Sequence, residues 1–213
     1  MLSRMTELAL TNVLDNEEIL QQLKDENFDV AIAELFDFIG LGVLEAIGLK
    51  NIIGAHTCAL MEGTALAIGA PVLPSYMPAS LGVTNDSTDI WTRALNLLFT
   101  YLSWYFQTGI ASAADRVMKA KLGPNATPVW DTVANISWVL VNSEPLMEFE
   151  KPTLHKVVDI GGLGVHKPKP LSEEWDRVLN LRKQTVLISF GTVAQSRYMP
   201  ESMKKAIIKV VKS

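Results

Sequence analysis

An alternation of apolar segments constrains how the N-terminal part of this chain can fold. Residues 28–33 (FDVAIA) have the length and composition of a buried strand, and residues 50–55 (KNIIGA) predict a second one. Between them, residues 38–47 (FIGLGVLEAI) predict an apolar helix with two glycines for close packing. Parallel strands need a crossover connection, which is usually a helix, so this order predicts a parallel sheet.

Further segments extend the same pattern. Residues 16–25 predict a helix before the first strand, and residues 134–141 and 156–162 predict two more strands. The proline-rich residues 69–88 predict a loop that shapes a pocket rather than a core. The predicted fold class is therefore α/β, with a parallel Rossmann-like sheet and crossover helices.

A separate strand–turn–helix unit is predicted near the C-terminal end. Residues 185–190 (TVLISF) read as a buried strand, Gly191 and Thr192 break it, and Pro200 and Glu201 open an amphipathic helix. The backbone N–H groups of such a turn often bind phosphate. The Gly-Thr-Val triplet is neither a Walker loop nor G-x-G-x-x-G, so an ordinary turn is the alternative.

The domain organisation follows from a linker-like stretch. Residues 165–172 (VHKPKPLS) are rich in proline and lysine, which is typical of a connecting segment. We therefore predict one domain over residues 1–164, a linker over 165–182, and the first strand–turn–helix of a second domain over 183–213.

Composition excludes several classes of protein. With 48% hydrophobic and 20% charged residues, the chain has the composition of a folded protein. A net charge of -4, a pI of about 5.4 and the lack of a basic cluster argue against nucleic-acid binding. Cys58 is the single cysteine, so a disulfide framework is excluded, and no metal-ligand spacing predicts a metal site. The N-terminus does not read as a signal peptide.

One uncharged segment raises the question of membrane contact. From Ala94 to Ala114 the sequence carries no charge, and its length approaches the ~20 residues that a spanning helix needs. Polar residues interrupt it, among them Asn96, Ser103 and Gln107. We therefore expect a buried or interface-lying amphipathic helix rather than a spanning one, and it is the candidate for membrane contact.

Glu34 is the first candidate for chemistry. It follows the first predicted strand, and ligands of open parallel sheets bind beyond the carboxyl ends of the strands. A carboxylate there can orient a base, accept from a hydroxyl or bind a cation; a helix-capping or solvated edge residue is the alternative. His56 follows the second strand and would project toward the same cleft, although a lone histidine is more often structural. Asp37 is expected to cap the next helix, and Glu45 to be paired or surface-facing.

Taken in order, the segments resemble UDP-glucuronosyltransferases over nearly the whole chain. The residues that carry this resemblance are AELFDFIGLG, PVLPSYMPASLG, TYLSWYFQ, KVVDIGGL and ISFGTVAQSRYMP. The first and the last of these look like the nematode-type branch of that family.

The resemblance implies a glycosyltransferase of two Rossmann-like domains (GT-B). Its N-terminal domain would bind a small lipophilic acceptor and its C-terminal domain a UDP-sugar, UDP-glucuronate or UDP-glucose, as co-substrate, with no other cofactor and no metal. A histidine would act as general base, oriented by a carboxylate at the position of Glu34, where vertebrate relatives carry Asp. Ser189, Gly191 and Thr192 would lie on the donor side.

The resemblance also implies that segments of the family are missing here. The base histidine, the later donor signature, the signal peptide and the C-terminal membrane anchor have no counterpart, so we expect an incomplete and inactive chain. The full-length family member would reside in the endoplasmic reticulum membrane. The alternative function is that of a non-catalytic truncated partner, which would form homo- or hetero-oligomers with family members through the long aromatic helix and regulate them.

Overall fold

The computed structural model describes residues 2–82, 89–192 and 195–212. The chain divides into two units, Met1–Val165 and His166–Ser213. Of the predicted loop over residues 69–88, residues 83–88 lie outside the described part.

The N-terminal unit is an α/β structure built on one parallel sheet. Its elements are α1 (Leu2–Leu14), α2 (Glu17–Asp25), β1 (Ala31–Glu34), α3 (Ile39–Ile47), β2 (Ile52–His56), α4 (Glu62–Ile68), α5 (Ile90–Leu122), α6 (Val129–Asn135), β3 (Trp138–Val141) and β4 (Val157–Asp159). The four strands lie in chain order, β1-β2-β3-β4, and each neighbouring pair is parallel. The predicted fold class and the four predicted strands of this unit are confirmed, with bounds that differ by a few residues.

Local side chains explain where the helices begin. Asn16 caps α2, its side-chain oxygen accepting from the backbone N–H of Ile19 at 3.1 Å. Asp89 caps α5 in the same way, and its carboxylate accepts from the N–H groups of Trp91 and Thr92. Asp37 precedes Phe38, the N-cap residue of α3, and accepts from Ile39 N at 3.0 Å, so it satisfies the first N–H group of the helix from one position before the N-cap.

The core lies on one face of the sheet. Side chains alternate between the faces of a strand, and the residues directed to the covered face are buried: Ala33, Gly54, His56, Val139 and Val141. On this side they pack with apolar residues of the helices, which include Leu10, Leu41, Ile110, Val129 and Val133. The opposite face is open, since Ile32 is 65% and Trp138 50% exposed.

The predicted uncharged helix is confirmed and extended. It forms the middle of α5, which runs over 33 residues. Across the described ranges, no helix combines the length and the apolar character that crossing a membrane requires.

The C-terminal unit contains α7 (Glu173–Leu179), a short 3-10 turn (Ser196–Tyr198) and α8 (Glu201–Lys212). The predicted helix from Glu201 is confirmed, but the strand predicted over residues 185–190 is wrong. In residues 166–192 and 195–212 no strand forms, and Val186 and Leu187 are about two-thirds exposed. A lone extended segment has neither a partner for its backbone groups nor a core for its side chains.

Candidate functional site

Glu34 lies at the carboxyl edge of the sheet with both carboxylate oxygens held. Oε1 accepts from the N–H of Phe36 at 3.1 Å, and Oε2 accepts from the N–H of Thr57 at 3.2 Å. Because Thr57 follows β2, this carboxylate bridges the turns after two neighbouring strands. Its side chain is 30% exposed, so the fixed oxygens keep lone pairs that another group can reach.

His56 ends β2, and its side chain is fully buried beneath Glu34. Its Nε2 lies 2.9 Å from the hydroxyl of Thr64, which also accepts from Gln107 Nε2 at 3.1 Å. Within the described residues, Nδ1 has no hydrogen-bond partner, and it lies 3.9 Å from Oε1 of Glu34. The prediction that His56 projects into the cleft is wrong, because strand alternation directs it to the covered face.

Burial decides the charge of His56. Desolvation lowers the pKa of this imidazole to about 4, because the charged form is disfavoured away from water. His56 is therefore neutral at pH 7, and its contact with Glu34 is not an ion pair.

A cavity of about 830 Å³ opens at the same edge of the sheet. Val141, Ser143 and Asp159, at the ends of β3 and β4, line it together with Leu146 and Phe149 from the following loop. A second cavity of about 230 Å³ shares part of this lining and is bounded by the described part of the proline-rich loop. That loop therefore shapes a pocket, as predicted. Glu34 is not one of the described residues that line these two cavities.

The backbone beside the larger cavity is closely packed at Gly161. Its N–H donates to the carbonyl of Ser143 at 3.0 Å, and a Cβ atom at this position would lie only 2.6 Å from that carbonyl oxygen. The hydroxyl of Ser143 donates to the carboxylate of Asp159. Gly161, within the predicted strand over residues 156–162, thus permits a close backbone contact with Ser143, whose hydroxyl bonds Asp159 at the cavity.

The predicted donor-side residues lie in the C-terminal unit. Gly191 has a φ of 76°, in the left-handed region that favours glycine, and its N–H lies 3.4 Å from Oγ of Ser189. These residues and Thr192 are exposed. The turn is present, but no strand precedes it, and α8 begins only at Glu201. A donor role for Ser189, Gly191 and Thr192 stays a prediction.

Sequence reasoning missed several polar partners. Thr64 and the Ser143–Asp159 pair carry no sequence signal that would single them out. Gln107 did carry such a signal. Asn96 and Ser103 are seven residues apart, and Ser103 and Gln107 are four apart, so the three lie on one face of a helix. In the part of the chain that the structure describes, no group of three or more His, Cys, Asp or Glu residues could hold a metal ion.

The fold and the edge site define an open parallel α/β domain of the ligand-binding type, with a fixed carboxylate and a cavity where the strands end. A sequence model of the family described as "UDP-glucoronosyl and UDP-glucosyl transferase" matches residues 2–212. The chain belongs to this family, which confirms the resemblance seen in its motifs.

Individual relatives agree with this assignment. UDP-glucuronosyltransferase 3A1 of Bos taurus is 30% identical, over 92% of this chain and 37% of its own length. UDP-glucuronosyltransferase 3A2 of Homo sapiens is 26% identical over 93% of this chain, and ugt-48 of Caenorhabditis elegans is 24% identical over 93%. In both of these the match covers 38% of the relative. The chain therefore spans less than two-fifths of the length of these relatives.

Proposed function

We propose that the longer protein to which this chain corresponds transfers a sugar from a UDP-sugar to a hydroxyl group of a small lipophilic acceptor. Membership of the family supports the reaction class. The observation that carries the proposal is the carboxylate of Glu34, held by two backbone N–H groups at the carboxyl edge of the sheet. The donor is expected to be UDP-glucuronate or UDP-glucose, with no other cofactor.

Glu34 acts in this proposal as a positioning residue. Its free lone pairs would accept an N–H from a base histidine that lies outside these 213 residues, and so fix the tautomer and orientation of that imidazole. The base takes the proton of the acceptor hydroxyl while the oxygen attacks the anomeric carbon and UDP leaves with inversion. An Asp, which the resemblance implies for vertebrate relatives, has a side chain one methylene shorter; here Oε2 of Glu34 accepts from Thr57 N at 3.2 Å.

The larger cavity is the proposed acceptor site. Leu60, Leu146 and Phe149 provide apolar lining, while Ser143 and Asp159 provide polar groups that would orient a hydroxyl. Glu148, Glu150 and Lys151 also line the cavity, so its lining is mixed, and apolar walls with polar groups that fix orientation occur in sites for small organic molecules. Ser189, Gly191 and Thr192 are proposed to contact the diphosphate of the donor in the longer protein.

Two further proposals concern the location of the longer protein and an alternative function. The longer protein is proposed to reside in the endoplasmic reticulum membrane, as the resemblance implies. The alternative function, a non-catalytic partner that oligomerises with full-length family members and regulates them, would be supported by co-purification of the two chains.

A chimaera tests the role of Glu34. This chain replaces the matching span of the bovine 3A1 relative, and UDP release is measured with UDP-glucuronate and a naphthol acceptor. We expect transfer by the chimaera, and a loss of kcat of roughly 100-fold or more in Glu34→Gln, since positioned acid–base groups contribute about 10²–10⁴-fold. The KM for the UDP-sugar should change little, and Glu34→Asp should restore much of kcat.

Two results would contradict the proposal. The first is a folded chimaera that binds the UDP-sugar but releases no UDP. The second is full kcat, with an unchanged pH profile, in Glu34→Gln. The isolated 213-residue chain is expected to be inactive, and UDP release above buffer by this chain would refute that expectation.

A further inference from the structure

The N-terminal half of α5 has its polarity inverted with respect to an ordinary surface helix. Asn96, Ser103 and Gln107 face inward and are at most 5% exposed, although each is polar. Large apolar side chains face outward instead. A surface helix of a globular protein normally shows the opposite pattern, with its apolar stripe toward the core.

Each of the inward polar residues is hydrogen-bonded. Asn96 accepts from Ala79 N at 2.9 Å and donates to the carbonyl of Pro74 at 2.8 Å, so it binds the proline-rich loop. Ser103 accepts from Leu81 N at 3.1 Å, which holds the same loop about two helical turns further along α5. Gln107 exchanges hydrogen bonds with Thr64 of α4. These bonds fix the rotation of α5 and thereby its outward-facing surface.

We call this surface the outer face; it consists of Trp91, Leu95, Leu98, Tyr101, Leu102 and Tyr105, all exposed. Trp91 is 79% and Tyr105 62% exposed, which are high values for such large side chains. Tyr101 stacks on Tyr105, with ring centroids 6.3 Å apart. The helix therefore presents an aromatic and aliphatic surface that the described residues of its own unit leave exposed.

The breadth of the apolar surface argues against a second helix as the occupant. Leu97 and Trp104 widen the outer face on one side, and at 100° per residue the apolar arc then spans about 180°. A helix-helix seam covers a much narrower stripe. A fluid apolar medium can contact half of the circumference of a helix at once, whereas a single packed helix cannot.

The chemistry of the face favours a lipid surface. Trp and Tyr are the residues enriched at the boundary between lipid headgroups and acyl chains, because their rings combine an apolar body with a polar group. Between Asp89 and Asp115 the only charged residue is Arg93, an exposed cation at the rim of the apolar arc. A cation there can pair with lipid phosphate, and no anion on the segment opposes contact.

We propose that the outer face of α5 lies in the interfacial region of a phospholipid bilayer, with the helix along the membrane surface. The described part of the proline-rich loop and α4 lie on the water side, bonded to the inward polar residues. This inference rests on α5 alone and does not require the transferase activity proposed above.

Vesicle flotation tests the inference. The full 213-residue chain is mixed with vesicles of phosphatidylcholine, with and without one-fifth phosphatidylserine. Wild type should float with both and show a blue shift of tryptophan emission. Leu98→Glu and Tyr105→Glu each put a charge into the apolar arc, and each should lower the partition coefficient about tenfold.

A matched variant separates face-specific binding from general hydrophobicity. Leu8→Glu makes the same change at a 56% exposed leucine on α1 and should leave flotation unchanged. Circular dichroism and thermal melting establish that the variants are folded, which is expected because all three side chains are exposed.

Several results would overturn the inference. These are no flotation of wild type, equal flotation of the Leu98→Glu and Leu8→Glu variants, and binding that needs phosphatidylserine and disappears in high salt. A dimer that Leu98→Glu converts to monomer, without vesicle binding by wild type, would instead assign the outer face to a second copy of the chain.

Discussion

At the scale of single residues, His56, Thr64 and Gln107 form a buried polar connection between β2, α4 and α5. Gln107 donates to the Thr64 hydroxyl and accepts from the Thr64 backbone N–H at 3.2 Å, so both residues are satisfied by one exchange. His56 shares the same hydroxyl through Nε2. Although Nδ1 of His56 has no partner among the described residues, these hydrogen bonds favour one arrangement of the three elements, since any other would leave more polar groups unpaired in the core.

The buried imidazole makes stability depend on pH. Its pKa is lowered from 6.5 to about 4 in the folded chain, so the unfolded chain binds the proton more readily. Stability is therefore full above about pH 6.5 and falls as the pH drops toward 4. Between pH 7 and pH 5 the loss should be about 2 kcal/mol from this residue. Urea unfolding at the two pH values measures it.

The matched variants for this measurement are His56→Gln and His155→Gln. Carboxylates titrate in all of the proteins, so the quantity compared is the change in unfolding free energy between the two pH values. It should shrink by about 2 kcal/mol in His56→Gln and stay unchanged in His155→Gln, because His155 is exposed. An equal change in wild type and His56→Gln would contradict the neutral buried state.

At the scale of elements, the contact between α4 and α5 depends on Gly63. A Cβ atom at this position would lie 2.6 Å from Oε1 of Gln107 and 2.9 Å from the ring of Trp130. Both distances are shorter than a normal contact, so the absence of a side chain lets α4 approach closely enough for Thr64 and Gln107 to bond.

Two alanine substitutions test this contact. Gly63→Ala should destabilise by about 1–3 kcal/mol, because the forced shift outweighs the gain in helix propensity. Gly109→Ala lies on α5, where the added Cβ would meet Ser3 Oγ at an ordinary 3.7 Å, and should be neutral or stabilising by up to about 1 kcal/mol. Thermal or urea unfolding compares the pair; equal stability changes would show that propensity alone decides both.

The elements of the sheet were predictable because their signal is local. Residues 28–33 and 50–55 are short apolar runs with turn residues at their ends, and such runs are buried strands wherever a helix separates them. The direction of His56 was not predictable to the same degree. The predicted strand ended at residue 55 and left His56 in the following turn, whereas β2 includes His56, so strand alternation directs its side chain to the core.

Residues 185–190 show the limit of a local pattern. Their apolar, β-branched composition is that of a strand, but a strand also needs a neighbour, and no strand is present in the described part of this unit. The position of Glu34 at a strand end was predictable from the sequence, whereas its hydrogen bond with Thr57 N depends on the register of β1 and β2.

At the scale of the whole molecule, the two units differ in how much they bury. The N-terminal unit has a continuous apolar core between its sheet and its helices. In the C-terminal unit, none of residues 166–192 and 195–211 is buried. Burial of apolar surface is the main source of folding free energy, so the two units should differ in local stability.

Hydrogen exchange measures that difference. Amides of β2 and β3 should be the slowest to exchange, and amides of residues 184–190 should exchange close to the rate of an unstructured peptide. Limited proteolysis should cut the C-terminal unit first and leave a fragment close to Met1–Val165. Protection of residues 185–190 comparable to that of β3 would contradict this prediction. It would support the strand that the sequence predicts there. The domain bounds proposed from the sequence stay a prediction until such a fragment is mapped.

The inverted polarity of α5 changes how sequence variants in this helix should be interpreted. The usual rule treats a change from polar to apolar as mild and a change from apolar to charged as damaging to the fold. Along this helix we expect the reverse: replacing Asn96 or Gln107 by leucine removes bonds that hold the loop and α4, whereas a charge at the exposed Leu98 should leave the fold intact. Variant-effect scores based on hydrophobicity alone would therefore rank substitutions in this segment in the wrong order.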